Sequence, residues 1–304
     1  MVSQLVMRSV SRPVWEHLGA AATGGQVLAA VGRSCVVAMG DGTLGVLVPP
    51  EIGDGPLNIV VDGKPGALSG VETGSPVRME AGWLVIGQLE VTMGRPTIWE
   101  PCPDWDHLRS CCPAVTAALP LLRNLALRHA PEGSLLAPFY GPHVQRDSLG
   151  TPTEIMVATA RESAEDLRAG WAENPSPLQT GACRLAGLGG GLTPAGDDFL
   201  CGVMLWAWLA HPRPPSFCHP ILKAAAGRTT ALSAAFLRAA ARGECSAAWH
   251  RLLIALAGWR WQQPVADSWA RLEQSVRDVL SFGSTSGGDT LAGFLWIGCP
   301  PNCQ

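Results

Sequence analysis

Two glycine-rich segments hold the residues whose types and spacing can do chemistry. The first, Leu185 to Gly202, reads LAGLGGGLTPAGDDFLCG, with five glycines between positions 187 and 196 just before an apolar run. Glycine turns that open onto a helix expose backbone N–H groups beside the positive end of the helix dipole, an arrangement that binds phosphate and other anions. Thr193 adds a hydroxyl donor, and Pro194 stiffens the turn. The second segment, Phe282 to Gly293, reads FGSTSGGDTLAG and also runs from a Gly/Ser/Thr loop into an apolar stretch. Gly191-x-Thr193-x-x-Gly196-Asp197 aligns with Gly283-x-Thr285-x-x-Gly288-Asp289, and Gly202 and Gly293 follow. This is a local pseudo-repeat, and it predicts two helix N-termini converging on one polar ligand.

The aspartates admit two readings. Asp197, Asp198 and Asp289 can be plain helix-start residues worth ~1 kcal/mol each as caps or dipole partners, with the glycines serving only close helix packing. In a ligand site they would repel a phosphate unless they face away, hold a divalent ion, or bind amide N–H groups. Amide and loop N–H groups are the favoured partners. A Mg²⁺ held by one or two carboxylates is the alternative, and the pattern calls for no other cofactor.

A third segment, GRTTALSAAFLRAAARGE from Gly227 to Glu244, is Ala-rich. It places Thr229, Thr230, Ser233 and Leu237 on one side of a helix. Its hydroxyls can back-bond to the preceding turn; Arg228 beside two threonines can instead complete an anion site. Histidines 17, 107, 129, 143, 211, 219 and 250 show no metal-ligand spacing and read as surface or capping residues. Ser148 and Ser233 lack the G-x-S-x-G context of a nucleophile elbow. Trp206, Trp208, Trp249, Trp259 and Trp261 sit at apolar helical positions and read as core or subunit interface.

The elements that must carry these segments fall into two parts. Residues 24–100 contain short Val/Leu/Ile runs separated by Gly, Asp and Pro clusters: Gln26–Val31, Ser34–Met39, Leu44–Val48, Leu57–Val61 and Trp83–Ile86. Asp41-Gly42 between two of them signals a hairpin. A Pro-punctuated linker with Trp105 and His107 follows. Helical patterns then cover Val115–His129, interrupted at Pro120, Thr153–Trp171, Asp197–His211, Pro220–Ala241, Ser246–Trp259 and Val265–Leu280. EIMVAT, from Glu154, can be strand or helix. The expected fold class is α+β: a small β-rich N-terminal part (1–105), barrel-like or sandwich-like, before a larger, mainly helical part (106–304) that carries the glycine motifs.

Composition narrows the function classes. Of 304 residues, 47% are hydrophobic and 15% charged, against a usual charged share of about 25%; this is a core-forming chain, not a disordered one. Net charge is -3 and lysine is confined to Lys64 and Lys223, so nothing argues for nucleic acid. The longest apolar run, Phe199 to Ala210, is too short for a bilayer span, and the first residues do not read as a signal peptide. Ten cysteines, from Cys35 to Cys303, include no C-x-x-C pair, which fits a reducing cytoplasm.

GLGGGLTPAGDDFLCG, RTTALSAAFLRAAARGE and STSGGDTLAG, in that order, resemble the AllH family over about residues 180–297. The resemblance implies a subunit of oxamate carbamoyltransferase in purine (allantoin) degradation. Such an enzyme interconverts oxalurate plus phosphate with oxamate plus carbamoyl phosphate, in a complex with AllF-like and AllG-like subunits. Ala195 departs from the family pattern T-P-S-G-D-D and removes a hydroxyl there. Carbamoyl transfer needs phosphate donors, an oxyanion wall and a way to orient a small dicarbonyl acid, and positioning carries most of its rate. On this reading Gly189, Gly190, Gly191 and Thr193, with Gly196, hold phosphate, and Thr285, Ser286, Gly287 and Gly288 form the second wall. Asp197, Asp198 or Asp289 bind the carbamoyl N–H, and Arg228 with Thr230 takes the carboxylate. The alternatives are a non-catalytic small-anion-binding subunit or sensor, and a metal-dependent hydrolase built on the three aspartates.

Overall fold

The computed structural model describes residues 3–18, 24–63, 66–68, 70–80, 82–141, 151–172, 174–259 and 266–299. Lys64, His143, Ser148, Trp261, Val265 and Cys303 lie outside them. The chain forms two compact units: Met1–Pro101 with Cys245–Ala247, and Cys102–Glu244 with Ala248–Gln304.

The first unit is a β-barrel. Its strands are β1 (Ser3–Ser11), β2 (Gly25–Val31), β3 (Ser34–Ala38), β4 (Leu44–Val48), β5 (Asn58–Asp62), β6 (Pro76–Glu80), β7 (Trp83–Ile86), β8 (Leu89–Thr92) and β9 (Thr97–Trp99), with one short helix, α1 (Arg12–Leu18). Pairing runs β5-β4-β3-β2-β6-β7-β8-β1, and β1 pairs back to β5, so eight strands close and β9 adds to the second half of β1. Closure leaves few free edges. Alternation supplies the interior: Leu5 and Met7 point in while Val6 and Arg8 point out, and Cys35, Val37, Leu84 and Val91 are fully buried. The Asp41-Gly42 turn joins β3 to β4, with Gly42 at φ +83 and its N–H on Met39 O at 2.8 Å.

The second unit is helical: α2 (Trp105–Ser110), α3 (Cys112–Arg128), α4 (Leu136–Tyr140), α5 (Pro152–Ala169), α6 (Pro175–Leu185), α7 (Ala195–Ala210), α8 (Pro214–Ala225), α9 (Ala231–Ala241), α10 (Ala247–Ala257), α11 (Ala266–Leu280) and α12 (Ser286–Gly298). Several sequence expectations need correction. Trp105 and His107 are helical, because the Asp104 side chain accepts the His107 N–H at 3.0 Å and starts α2. Pro120 does not interrupt α3; it lies on the exposed face, where water can satisfy the carbonyl that its missing N–H leaves free. EIMVAT is helix, its start fixed by a Thr151/Glu154 capping box. The stretch from Pro220 to Ala241 is two helices, since Gly227 turns at φ +70 between them.

Two helices of this unit are buried nearly all round, α7 and α12, and they cross in direct backbone contact. A Cβ at Gly202 would collide with the Thr290 carbonyl oxygen, and one at Gly293 with that of Phe199. No other residue type permits that approach. Trp206, Trp249, Phe294 and Trp296 pack around the crossing, with Trp206–Phe294 and Trp249–Phe294 ring centroids 5.1 and 5.2 Å apart.

Candidate functional site

The crossing brings the two glycine loops together. Thr193 Oγ1 lies 2.9 Å from Ser286 Oγ. The helix starts obey one local two-fold, and its phase differs from the sequence alignment by one residue. Helices α7 and α12 begin at Ala195 and Ser286, so Gly196 matches Gly287, Asp198 matches Asp289, and Gly202 matches Gly293. The geometry agrees. A Cβ at Gly196 would strike the Leu185 carbonyl at the end of α6, and one at Gly287 would strike the Val279 carbonyl near the end of α11. The repeated unit is therefore helix, glycine turn, buried helix. Its first turn runs through nine residues and its second through five, so no single offset aligns both loops and helices.

The three aspartates separate by role. Asp197 clamps loops. Its Oδ1 accepts the Gly187 N–H at 3.0 Å, and its Oδ2 accepts the Thr229 hydroxyl. Asp289 binds backbone through one oxygen, accepting the Leu135 N–H on Oδ1 at 2.7 Å, while its buried Oδ2 has no hydrogen-bond partner among the described residues. Asp198 faces the Ser286 and Thr193 hydroxyls, and its buried Oδ2 is likewise unpartnered. Asp198 and Asp289 are 5% and 0% exposed.

Burial sets their proton affinity. It pushes the Asp198 carboxyl well above the usual range against the Ser286 hydroxyl, and the neighbouring charges of Asp289 and Asp197 push it further. Asp289 is raised to about 6 by burial, with the Leu135 N–H and Thr285 hydroxyl opposing. Asp197 is raised by burial too, opposed by Thr229, Gly187 and Ser233. In their charged forms Asp198 and Asp289 would each sit in a low dielectric with an oxygen unpaired. A protonated carboxyl donates a hydrogen bond, so the pair need not repel an anion.

The rest of the site follows from the loops. Gly189, Gly190, Gly191 and Leu192 are exposed. Gly189 (φ +110) folds back so tightly that a Cβ would sit 2.9 Å from Ala195 N, whereas Gly190 faces open space. Thr285 occupies the cap position of α12 without a capping side-chain bond. Gly288 presses on Ser134 and Pro131. The third segment joins the first: Thr230 caps α9 through the Ser233 N–H at 3.0 Å and donates to Leu192 O at 2.6 Å. Thr229 and Thr230 thus precede the helix; they do not lie on one side of it. Arg228 is exposed, and its carbonyl is what a Cβ at Gly187 would strike. His211 is buried, its Nδ1 accepting the Arg213 N–H at 3.1 Å and its Nε2 donating to Trp171 O at 3.2 Å. It is a C-terminal cap of α7 and not a surface residue.

The Leu135 N–H, with the Pro131–Gly133–Ser134 turn behind it, escaped the sequence reading. Among the described residues no three His, Cys, Asp or Glu side chains are grouped to hold a metal ion. No helix of the described residues is long and apolar enough to cross a membrane. The β unit carries clefts of about 340 and 500 Å³, neither lined by the three motifs.

The family model described as oxamate carbamoyltransferase subunit AllH matches residues 185–298. Over those residues the chain is similar to the AllH family. The matched segment begins at the last residue of α6 and ends at the last residue of α12, so it contains both glycine turns, the helix crossing and the third segment. Leu135 lies outside it. No solved structure matches the chain.

Proposed function

We propose that the chain is the subunit of an oxamate carbamoyltransferase-like enzyme that binds phosphate and the carbamoyl donor between α7 and α12. The reaction interconverts oxalurate and phosphate with oxamate and carbamoyl phosphate, the step expected in allantoin degradation. The observation that carries this reading is the Thr193–Ser286 contact, which joins the glycine turns that precede α7 and α12 through two hydroxyls. Exposed Gly189–Gly191 N–H groups receive the phosphate, and Thr193 and Ser286 orient it. The attacking phosphate oxygen then needs only alignment with the carbamoyl carbon, and the N–H groups at the helix starts stabilise the oxyanion that develops there. The reading uses no metal: Asp197 is committed to protein donors through both oxygens.

AllF-like and AllG-like chains are the proposed partners, and the cytoplasm the proposed compartment. Cys35, Cys111, Cys112, Cys183, Cys201 and Cys218 are free thiols, which suits a reducing environment. The test is phosphate-dependent loss of oxalurate, assayed with the purified chain alone and with its partners, with and without EDTA. Turnover in the complex that survives chelation supports the reading. No turnover in any combination, with phosphate binding retained, identifies a binding subunit instead. Loss on chelation identifies a metal-dependent hydrolase.

A further inference from the structure

Asp198 and Asp289 stand at equivalent positions one turn into two crossing helices, and each keeps one buried oxygen with no hydrogen-bond partner among the described residues. Asp197, one residue away, is satisfied twice over. A buried carboxylate oxygen left bare is costly unless a proton or a ligand covers it. The Asp289 charge adds to the burial that already disfavours an ionised Asp198, and two neighbouring buried carboxylates do not both ionise cheaply. The titratable groups facing them are Asp197 and the Cys201 thiol, both on α7, and the loop before α4 brings the Leu135 N–H. No cation is among these groups of the described residues.

On the carbamoyl-transfer reading, we infer that Asp198 and Asp289 act as a proton relay, holding one exchangeable proton and delivering it to the amide nitrogen that leaves oxalurate. The step balances. A phosphate oxygen of HPO₄²⁻ bonds to the carbamoyl carbon, and the bond from that carbon to the amide nitrogen breaks. The nitrogen takes the pair's proton and becomes the NH₂ of oxamate. The pair recovers a proton from the attacking phosphate, which departs as the carbamoyl phosphate dianion. No oxidant, reductant or further reactant enters. The hydroxyls of Ser286 and Thr193, which face Asp198, lie where phosphate is proposed to bind.

The experiment uses the full chain, for spectroscopy, and its complex, for kinetics. Infrared spectroscopy at pH 7 is expected to show one protonated carboxyl C=O stretch in the unmodified chain, lost in Asp198→Asn and shifted in Asp289→Asn, because burial places the proton on Asp198 and Asp289 is its neighbour. In the complex each variant is expected to lose at least ~100-fold in kcat, the scale of general acid–base catalysis, with phosphate Kd within about threefold and the pH dependence of kcat flattened. A band absent from the unmodified chain, a band that persists in Asp198→Asn, a band unmoved in Asp289→Asn, or kcat unchanged in both variants overturns the relay. The first criterion needs no variant, so it holds even if a variant does not fold. If the unmodified complex does not consume oxalurate, the carbamoyl-transfer reading fails, and the infrared band alone then decides whether the pair holds a proton.

Discussion

Thr193 Oγ1 and Ser286 Oγ sit 2.9 Å apart across 93 residues of sequence. Each hydroxyl has one hydrogen, and one hydrogen spans the gap between them. The other remains for a third partner. Both groups face Asp198, so the pair links the anion-binding loops to the buried carboxyls. A contact of this kind ties two remote turns into one site and orients a donor at no cost in reorganisation during reaction.

Replacing Thr193 by Val removes the hydroxyl and keeps the shape. Phosphate affinity measured by calorimetry is expected to fall about tenfold, the size of one hydrogen bond to a charged group. Ser286→Ala is expected to cost a similar amount, and the double variant less than the two together, because the residues touch. Unchanged affinity in Thr193→Val would move the anion away from this contact.

Asp197 makes a different prediction. Both of its oxygens accept protein hydrogen bonds, from the Gly187 N–H and the Thr229 hydroxyl. Asn offers one acceptor and turns an NH₂ toward one of those donors. Asp197→Asn is expected to lower stability by about 1–3 kcal/mol in urea unfolding and to lower carbamoyl transfer at least ~10-fold through the displaced loop. Full stability in the variant would mean that the clamp does not hold the turn.

Much of this was legible in the residues, for definite reasons. Short apolar runs and the Asp41-Gly42 turn carry the barrel. Its closing strand β1 was not recognised, although Leu5 and Met7 alternate with Val6 and Arg8 as a half-buried strand requires. The glycine motifs announced the site because close backbone approach leaves glycine as its trace. The alignment phase did not follow, since turns of unequal length separate the two copies from their preceding helices. The Leu135 contribution is a backbone N–H, which every residue but proline possesses and which has no signature in sequence. Tertiary folding alone brought the third segment's Thr229 and Thr230 onto the first loop.

Two glycines test what the small residues are for. Gly202 lies against the Thr290 carbonyl, and Gly190 has nothing within 4 Å of where a Cβ would stand. Gly202→Ala is expected to destabilise by about 1–3 kcal/mol or more, the cost of overpacking a crossing that cannot open. Gly190→Ala is expected to change stability by less than about 0.5 kcal/mol while weakening phosphate binding, because a methyl group then stands where the anion meets backbone. A Gly190→Ala chain with unaltered phosphate Kd would place the anion elsewhere.

The raised pKa of the buried aspartates predicts how stability follows pH. An unfolded Asp titrates near 3.9, and Asp289 in the folded chain titrates at about 6 because it is buried. Between those values the folded state binds more protons than the unfolded state. Stability is therefore fully present below about pH 4, falls as pH rises through the window to about 6, and is flat above it as far as this group is concerned. The loss attributable to Asp289 is on the order of 3 kcal/mol, and Asp198, raised in the same direction by burial, extends the fall to higher pH. Asp289→Asn cannot ionise and removes the first part of the slope. Urea unfolding from pH 4 to 8 is expected to show the chain losing stability over that range and the variant losing less. Parallel curves would mean that the Asp289 carboxyl ionises as freely in the folded chain as in the unfolded one.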